Sequence, residues 1–279
     1  MDSARTVVRP IAVVMDARAP EQIGRHARLD LRFGLRRGRT ALLDAYAEPP
    51  LRIGRAFDEG DGLHMILASA APGVFGGDLF AQSVTLESGA HVRLTSQSAL
   101  QAHPSPSSLD AHIVSRYHVK SGASLTCLWD PMIPFPDARV SQRITLQVDE
   151  GATLRWSDAF MAGREARGER WRFASLAHEL TLYRGERIAY LERYGIEPLT
   201  SAVSAPWVGG DASYFGSAIV CGEPELVDAE ALHGQLVNVV DVHSAADRLE
   251  PGLTLVRLMG PSGVAFHRAR QILTTAAAF

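Results

Sequence analysis

The chain has 279 residues, of which 46% are hydrophobic and 21% are charged, a composition that is ordinary for a globular protein. A net charge of −3 gives no reason to expect nucleic acid or an anionic membrane surface as a partner. No stretch approaches the roughly 20 apolar residues that cross a bilayer, and two cysteines without metal spacing favour a reducing compartment, so we expect a soluble cytoplasmic protein.

Residues 1–28, rich in Arg and Ala, are predicted to be a flexible lead-in, and 29–279 a single β-rich domain. From Leu29 the sequence alternates between apolar and polar residues on both sides of Gly38. Alternation with a period of two predicts a half-buried strand, a turn and a second strand.

A repeated unit follows, in which a short alternating strand, a turn at glycine and a second short strand recur about every 30 residues. The four units are 84–94, 117–128, 144–156 and 180–191, with their turns at Gly89, Gly122, Gly151 and Gly185. Glycine suits such turns because they need a positive φ. Because one hairpin is marginally stable in water, we predict a mainly β fold of stacked antiparallel β-hairpin layers, a β-helix-like or multi-sheet scaffold. A plain β-sandwich without a true repeat is the alternative.

Helical patterns come late in the chain. Residues 224–237 place leucine and alanine near helical spacing behind Pro224, and 264–278 are compatible with a terminal helix. We therefore expect a few helices toward the C-terminal half.

Three segments interrupt the strand pattern and carry acidic or basic side chains. APGVFGGDLF (71–80) holds Asp78, LWDPMIPFPDA (128–138) holds Asp130, and GREARGER (163–170) holds Arg164 and Glu169. Each segment is either a solvated connection or a binding loop, and the first lacks the Lys-Ser/Thr of a phosphate-binding loop. The ten histidines show no metal-ligand spacing and are interpreted as surface or core residues.

Carboxylates leave an enzymatic alternative open. Asp78, Asp130, Asp158 and Glu169 would serve glycoside hydrolysis if two of them met in space, on a stacked β scaffold. Such an enzyme predicts an aromatic-lined groove, whereas only 7% of the chain is aromatic. A generic β-rich interaction protein is a further alternative.

Six ordered segments resemble the family of urease accessory protein UreD (also called UreH) over roughly 29–275. They read LDLRFGLRRGRTAL with EPPLRI, then APGVFGGD, SGAHVRLTSQSA, LWDPMIPFPDA, SDAFMAGREARGE and LTLVRLMGPS. The order and spacing of all six carry the resemblance, since no single segment is decisive.

The resemblance implies a function that composition does not address. Members of this family are not enzymes but scaffolds that assemble the nickel centre of urease. They bind the urease apoprotein and a helical UreF-type partner, which recruits a UreG-type GTPase carrying nickel. No tightly bound cofactor is implied, only nickel in transit through an internal tunnel.

Residues are carried over from the family by position. Asp78, Asp158 and Glu169 are expected along the transient nickel path, and Thr95, Ser96, Asp130 and Arg164 in the tunnel or at a partner interface. Oxygen donors suit a path that must release the ion, because a full His/Cys site would hold nickel too tightly.

Overall fold

The fold comes from a computed structural model, which describes residues 24–105, 107–206, 208–224 and 228–275. Most of the predicted lead-in, 1–23, lies outside the described residues. The first strand begins at His26, three residues before the predicted start of the domain.

Strands dominate the described part of the chain, which confirms the predicted mainly β class. In chain order they are β1 His26–Arg36, β2 Arg39–Ala47, β3 Leu51–Glu59, β4 Gly62–Ser69, β5 Leu79–Leu86, β6 His91–Ser96, β7 Gln101–Ala102, β8 Ala111–Val119, β9 Ser124–Leu128, β10 Ile133–Pro134, β11 Arg139–Val148, β12 Thr153–Met161, β13 Ser175–Arg184, β14 Arg187–Ile196, β15 Tyr214–Cys221, β16 His243–Glu250 and β17 Leu253–Gly260. Two α-helices, α1 Ala229–Leu236 and α2 Gly263–Thr275, lie toward the C-terminus as expected.

Two stacked sheets contain all but two of these strands. The seven-stranded sheet has the order β14-β13-β11-β8-β5-β1-β2, and the eight-stranded sheet has the order β16-β17-β15-β12-β9-β6-β4-β3. Strands β7 and β10 form a separate two-stranded sheet. The main core lies between the two large sheets, where Phe33, Leu94, Leu125, Leu146 and Leu154 are almost completely buried.

The glycine-centred units are confirmed as turns, but only one of the four is a hairpin. All four glycines have a positive φ, between 58° and 77°. At Gly185 the flanking strands β13 and β14 pair antiparallel. At Gly89, Gly122 and Gly151 the strand before the turn lies in the seven-stranded sheet and the strand after it in the eight-stranded sheet.

The first three units therefore stack as solenoid-like coils rather than as hairpins. Strand β5 pairs parallel with β8, and β8 with β11, while β6 pairs parallel with β9, and β9 with β12. A hairpin prediction fails here because the same strand–Gly–strand sequence suits a corner between two sheets. The partner of each strand is the equivalent strand of the next unit, about 30 residues along the chain.

Gly122→Val is expected to destabilise the fold, because a β-branched residue takes a positive φ only at a cost. Gly122 has φ 71°, and the added Cβ would meet only the backbone nitrogen of Gly89, 3.7 Å away, so strain and not a clash is the cause. We expect a loss of about 1–2 kcal/mol of unfolding free energy, measured by urea denaturation. The control is Gly195→Val on β14, where the Cβ meets nothing within 4 Å and φ is not positive. Equal stability of the two variants would contradict this account of the turn.

The two helices cover part of the outer face of the eight-stranded sheet. Helix α1 begins later than the sequence predicts, because Asp228 caps it by accepting hydrogen bonds from the backbone nitrogens of Glu230 and Ala231. Residues 225–227 of the predicted helix 224–237, and 276–278 of the predicted helix 264–278, lie outside the described residues. Leu232, Leu236 and Phe266 pack with β15 and β17 in a second core. Neither described helix is long and apolar enough to cross a membrane.

Candidate functional site

The connections between the stacked coils meet at one end of the molecule, opposite the glycine turns. This loop end consists of 71–78, 97–105, 129–138 and 162–174. Because the stacked strands are parallel, equivalent strands end on the same side of the molecule, and the connections that follow them lie next to each other there. Short backbone contacts join the segments, including the β7–β10 pair and the bridge between Val74 and Ala102.

Asp78 is the structural centre of the Gly-Gly-Asp loop. Its side chain is buried, and its two oxygens accept hydrogen bonds from the backbone nitrogens of Arg25 (2.8 Å) and Phe75 (3.0 Å). The Arg25 guanidinium adds an ion pair of 2.5 Å. Burial alone would raise the pKa of Asp78, but the hydrogen bonds and charge of Arg25 and the N–H of Phe75 lower it below its usual value. These bonds make Asp78 a residue that holds its loop in place.

A row of stacked side chains joins three of the predicted segments. The Phe75 ring stacks on His103 with 4.4 Å between centroids, and His103 and Phe135 form a T-shaped pair with 4.8 Å between centroids. The Arg164 guanidinium lies 3.7 Å from the Phe135 centroid. Phe75 is 38% exposed, so this row of an aromatic, an imidazole and a cation reaches the surface of the loop end.

Glu169 belongs to the same row through Arg164. The Nε and Nη2 atoms of Arg164 donate to the two carboxylate oxygens of Glu169, at 2.5 and 2.9 Å. Asp78 and Glu169 are thus each held by a different arginine. Within the described residues, no group of three or more His, Cys, Asp or Glu side chains is arranged to hold a metal ion.

Asp158 lies apart from the loop surface, in a cavity between the two sheets. The cavity has a volume of about 560 Å³ and lies where β11, β13 and β14 face β12 and β15–β17. Its polar lining includes Gln142, Asp158, His178, Glu192, Ser217, His243 and Arg257, and the Arg257 guanidinium forms an ion pair with Glu192 at 2.7 Å.

The Asp158 carboxyl is almost completely buried. Burial raises its pKa and the charge of Glu192 adds to this, whereas His178, Arg270 and a hydrogen bond from the Ser217 hydroxyl (3.2 Å) act in the opposite direction. A cation entering the cavity would therefore stabilise the ionised form of this carboxyl, which burial disfavours.

His178 faces the same cavity and was not singled out by the sequence. Its side chain is 3% exposed, and its Nδ1 is 3.3 Å from the amide oxygen of Gln142. The Nε2 atom is buried, and no described residue bonds to it. The sequence of β13 does indicate that His178 is buried. His178 shares the inward side of the strand with Leu176, Leu180 and Leu182, where period-two alternation predicts burial.

Thr95 and Ser96 lie on opposite faces of the eight-stranded sheet. The Thr95 hydroxyl is 2.9 Å from Nε2 of His64 on the outer face, while the Ser96 hydroxyl accepts from the backbone nitrogen of Asp130 at 2.9 Å. Successive residues of a strand alternate between faces, so these two side chains do not line one common passage between the sheets.

Arg270 of α2 connects the helix to the strands that lead to Asp130 and Asp158. It is fully buried, and its guanidinium donates to the Ser157 hydroxyl (3.1 Å), to the Ser157 carbonyl (3.2 Å) and to the Trp129 carbonyl. Burial lowers its pKa to about 10, which still leaves it charged at neutral pH. A fixed positive charge therefore lies beside the Asp158 end of the cavity.

Comparisons with known proteins all point to the same family. A sequence model described as UreD urease accessory protein matches residues 25–278. Urease accessory protein UreD of Deinococcus radiodurans is 32% identical over 204 residues, 72% of this chain and 73% of its own. The protein of the same name from Cupriavidus necator is 32% identical over 243 residues, 84% of this chain and 82% of its own. The one from Lysinibacillus sphaericus is 30% identical over 200 residues, 71% and 75% of the two chains.

Proposed function

Because the chain belongs to the UreD family of urease accessory proteins, we propose that it is a non-catalytic cytoplasmic scaffold for assembling the nickel centre of urease. It bridges the urease apoprotein to a UreF-type partner and, through that partner, to a UreG-type GTPase. Nickel is its cargo and passes through the protein without being retained as a cofactor.

The observation that carries the proposal is the cavity beside Asp158. Carboxylate, imidazole and hydroxyl groups of Asp158, His178 and Ser217 line it beside the Glu192–Arg257 ion pair, and these groups suit a divalent ion of intermediate softness. The groups do not form a closed ligand cluster, which favours short residence over tight binding.

The loop end supports contact with protein partners. Its exposed Phe75 and the Arg164 guanidinium stacked on Phe135 combine aromatic and cationic side chains, the residue types that are enriched where proteins bind each other. A glycosidase-type pair of Asp78 and Glu169 is not favoured, since each of these carboxylates is neutralised by a different arginine.

Co-purification tests the proposal directly. The tagged chain is expressed with the urease apoprotein and the UreF-type protein of the same genome, and the three proteins are expected to elute together. Phe75→Ala is expected to weaken binding of either the urease apoprotein or the UreF-type protein. The matched control is Phe57→Ala, which removes an exposed ring on the edge strand β3 and is expected to leave both proteins bound. Failure of the wild-type chain to retain either protein would refute the scaffold role.

A further inference from the structure

A row of polar side chains crosses the outer face of the eight-stranded sheet beyond helix α2. Strand register aligns Arg155 of β12 with Thr126 of β9, Thr126 with Arg93 of β6, and Arg93 with His64 of β4. Neighbouring strands lie about 4.8 Å apart, so the four side chains are neighbours on one surface. None of them faces the cavity, because the alternating residues of the same strands fill the main core.

Arg155 is a buried cation that lacks an acceptor. It is 9% exposed, its Nε atom is buried without a hydrogen-bond partner, and the described residues provide it with no ion pair. Arg270, which is buried on the same face of the sheet, donates to three acceptors. Burying much of an arginine without a paired carboxylate costs free energy, so Arg155 differs from the arginines that hold this fold together.

Among the described residues, the charge that acts on Arg155 is the positive charge of Arg93, and no carboxylate pairs with Arg155. Burial lowers the pKa of Arg155, and the nearby charge of Arg93 lowers it further. Arg93 already binds Glu59, with 2.9 Å between Nε and the carboxylate. The same surface thus pairs one arginine with a carboxylate and leaves the other without one.

We propose that Arg155 anchors a carboxylate from an acidic segment of a protein partner, seated on the outer face of the eight-stranded sheet beside α2. The planar guanidinium matches a carboxylate in two-point geometry, and desolvation by the surrounding protein strengthens such a pair. The choice of a protein carboxylate rests on the proposed function, in which the chain works by assembling with other proteins. Charge complementarity is the argument for the acidic segment.

The first experiment compares Arg155→Met with Arg116→Met, the same change on the exposed outer face of the seven-stranded sheet. Removing an unpaired buried charge is expected to leave the melting temperature of the isolated chain unchanged or raised. A clear fall in melting temperature for Arg155→Met alone would assign Arg155 a role in folding and overturn the proposal.

The second experiment uses hexaglutamate peptide as the acidic probe, titrated calorimetrically at low ionic strength. The wild-type chain and Arg116→Met are expected to bind it, with at least tenfold weaker binding by Arg155→Met and a smaller loss for Arg155→Lys. No binding by the wild type, or equal binding by Arg155→Met, overturns the proposal. An equal response to inorganic sulfate at matched ionic strength would also overturn it, by assigning the site to a free anion.

Failure of the Arg155 site can be distinguished experimentally from failure of the proposed scaffold function. If hexaglutamate binds through Arg155 but neither urease apoprotein nor the UreF-type protein is retained, the carboxylate site is supported and the scaffold role fails. If both proteins are retained equally by wild type and by Arg155→Met, the carboxylate site fails and the scaffold role stands.

Discussion

Asp158→Asn is expected to lower nickel-dependent urease activation at least tenfold while the protein stays folded and bound to its partners. The carboxylate lies almost buried in the interior cavity, and its amide replacement is similar in shape but carries no charge to attract a cation. Activation is measured as urease activity after assembly from purified apoprotein, this chain, the UreF- and UreG-type proteins, GTP and nickel.

The stability of Asp158→Asn shows whether Asp158 acts on nickel or is needed for the fold. Because burial raises the pKa of Asp158, its ionised form is disfavoured in the folded state, and this cost grows as pH rises from the unfolded pKa to the folded pKa. Asn is therefore expected to leave stability at neutral pH unchanged or improved. The matched control is Asp61→Asn, on the exposed turn between β3 and β4, with full activation expected. Full activation by Asp158→Asn would contradict the proposed path.

Asp78→Ala is expected to destabilise the fold by about 2–3 kcal/mol, because it leaves two backbone donors unpaired and removes an ion pair whose arginine is partly exposed. The carboxylate accepts from the backbone nitrogens of Arg25 and Phe75 and from the Arg25 guanidinium. Urea denaturation measures the loss. In this account reduced urease activation would follow from lower stability, although the sequence resemblance predicts Asp78 on the nickel path.

The control for Asp78 is an ion pair on the surface. Asp30 pairs with Arg28 on the outer side of β1, and Asp30→Ala is expected to cost less than about 1 kcal/mol. The lowered pKa of Asp78 also predicts a pH dependence: its stabilisation is complete above the unfolded pKa and is lost as pH falls through the lower folded pKa. Comparable stability of Asp78→Ala and wild type would place Asp78 outside the framework of the loop.

The sequence predicts the local elements well because alternation and turn chemistry are local properties. Leu29, Leu31 and Phe33 are buried on one side of β1 as period two predicts, and Gly122 takes the positive φ that its turn requires. What a strand pairs with is not local. The turns at Gly122 and Gly185 follow similar strands, yet one is a corner between two sheets and the other joins a hairpin.

The candidate site also combines contacts between residues that are close in sequence with contacts between residues that are far apart. Arg164 and Glu169 lie close in sequence and pair as a short loop allows. The partner of Asp78 is Arg25, which lies in the segment predicted to be a lead-in, and His178 joins Asp158 only because β13 faces β12 across the two sheets. Contacts of this kind depend on the stacking of the coils, which no single segment encodes.

The nickel content of urease most directly tests the central claim that this chain conducts nickel to the enzyme. Urease apoprotein is assembled with the other accessory proteins, repurified and analysed for metal, in the presence of wild-type chain, of Asp158→Asn or of neither. We predict nickel-loaded urease with the wild type and depleted urease in the other two cases, although Asp158→Asn still enters the complex. Equal nickel content in all three preparations would contradict the account.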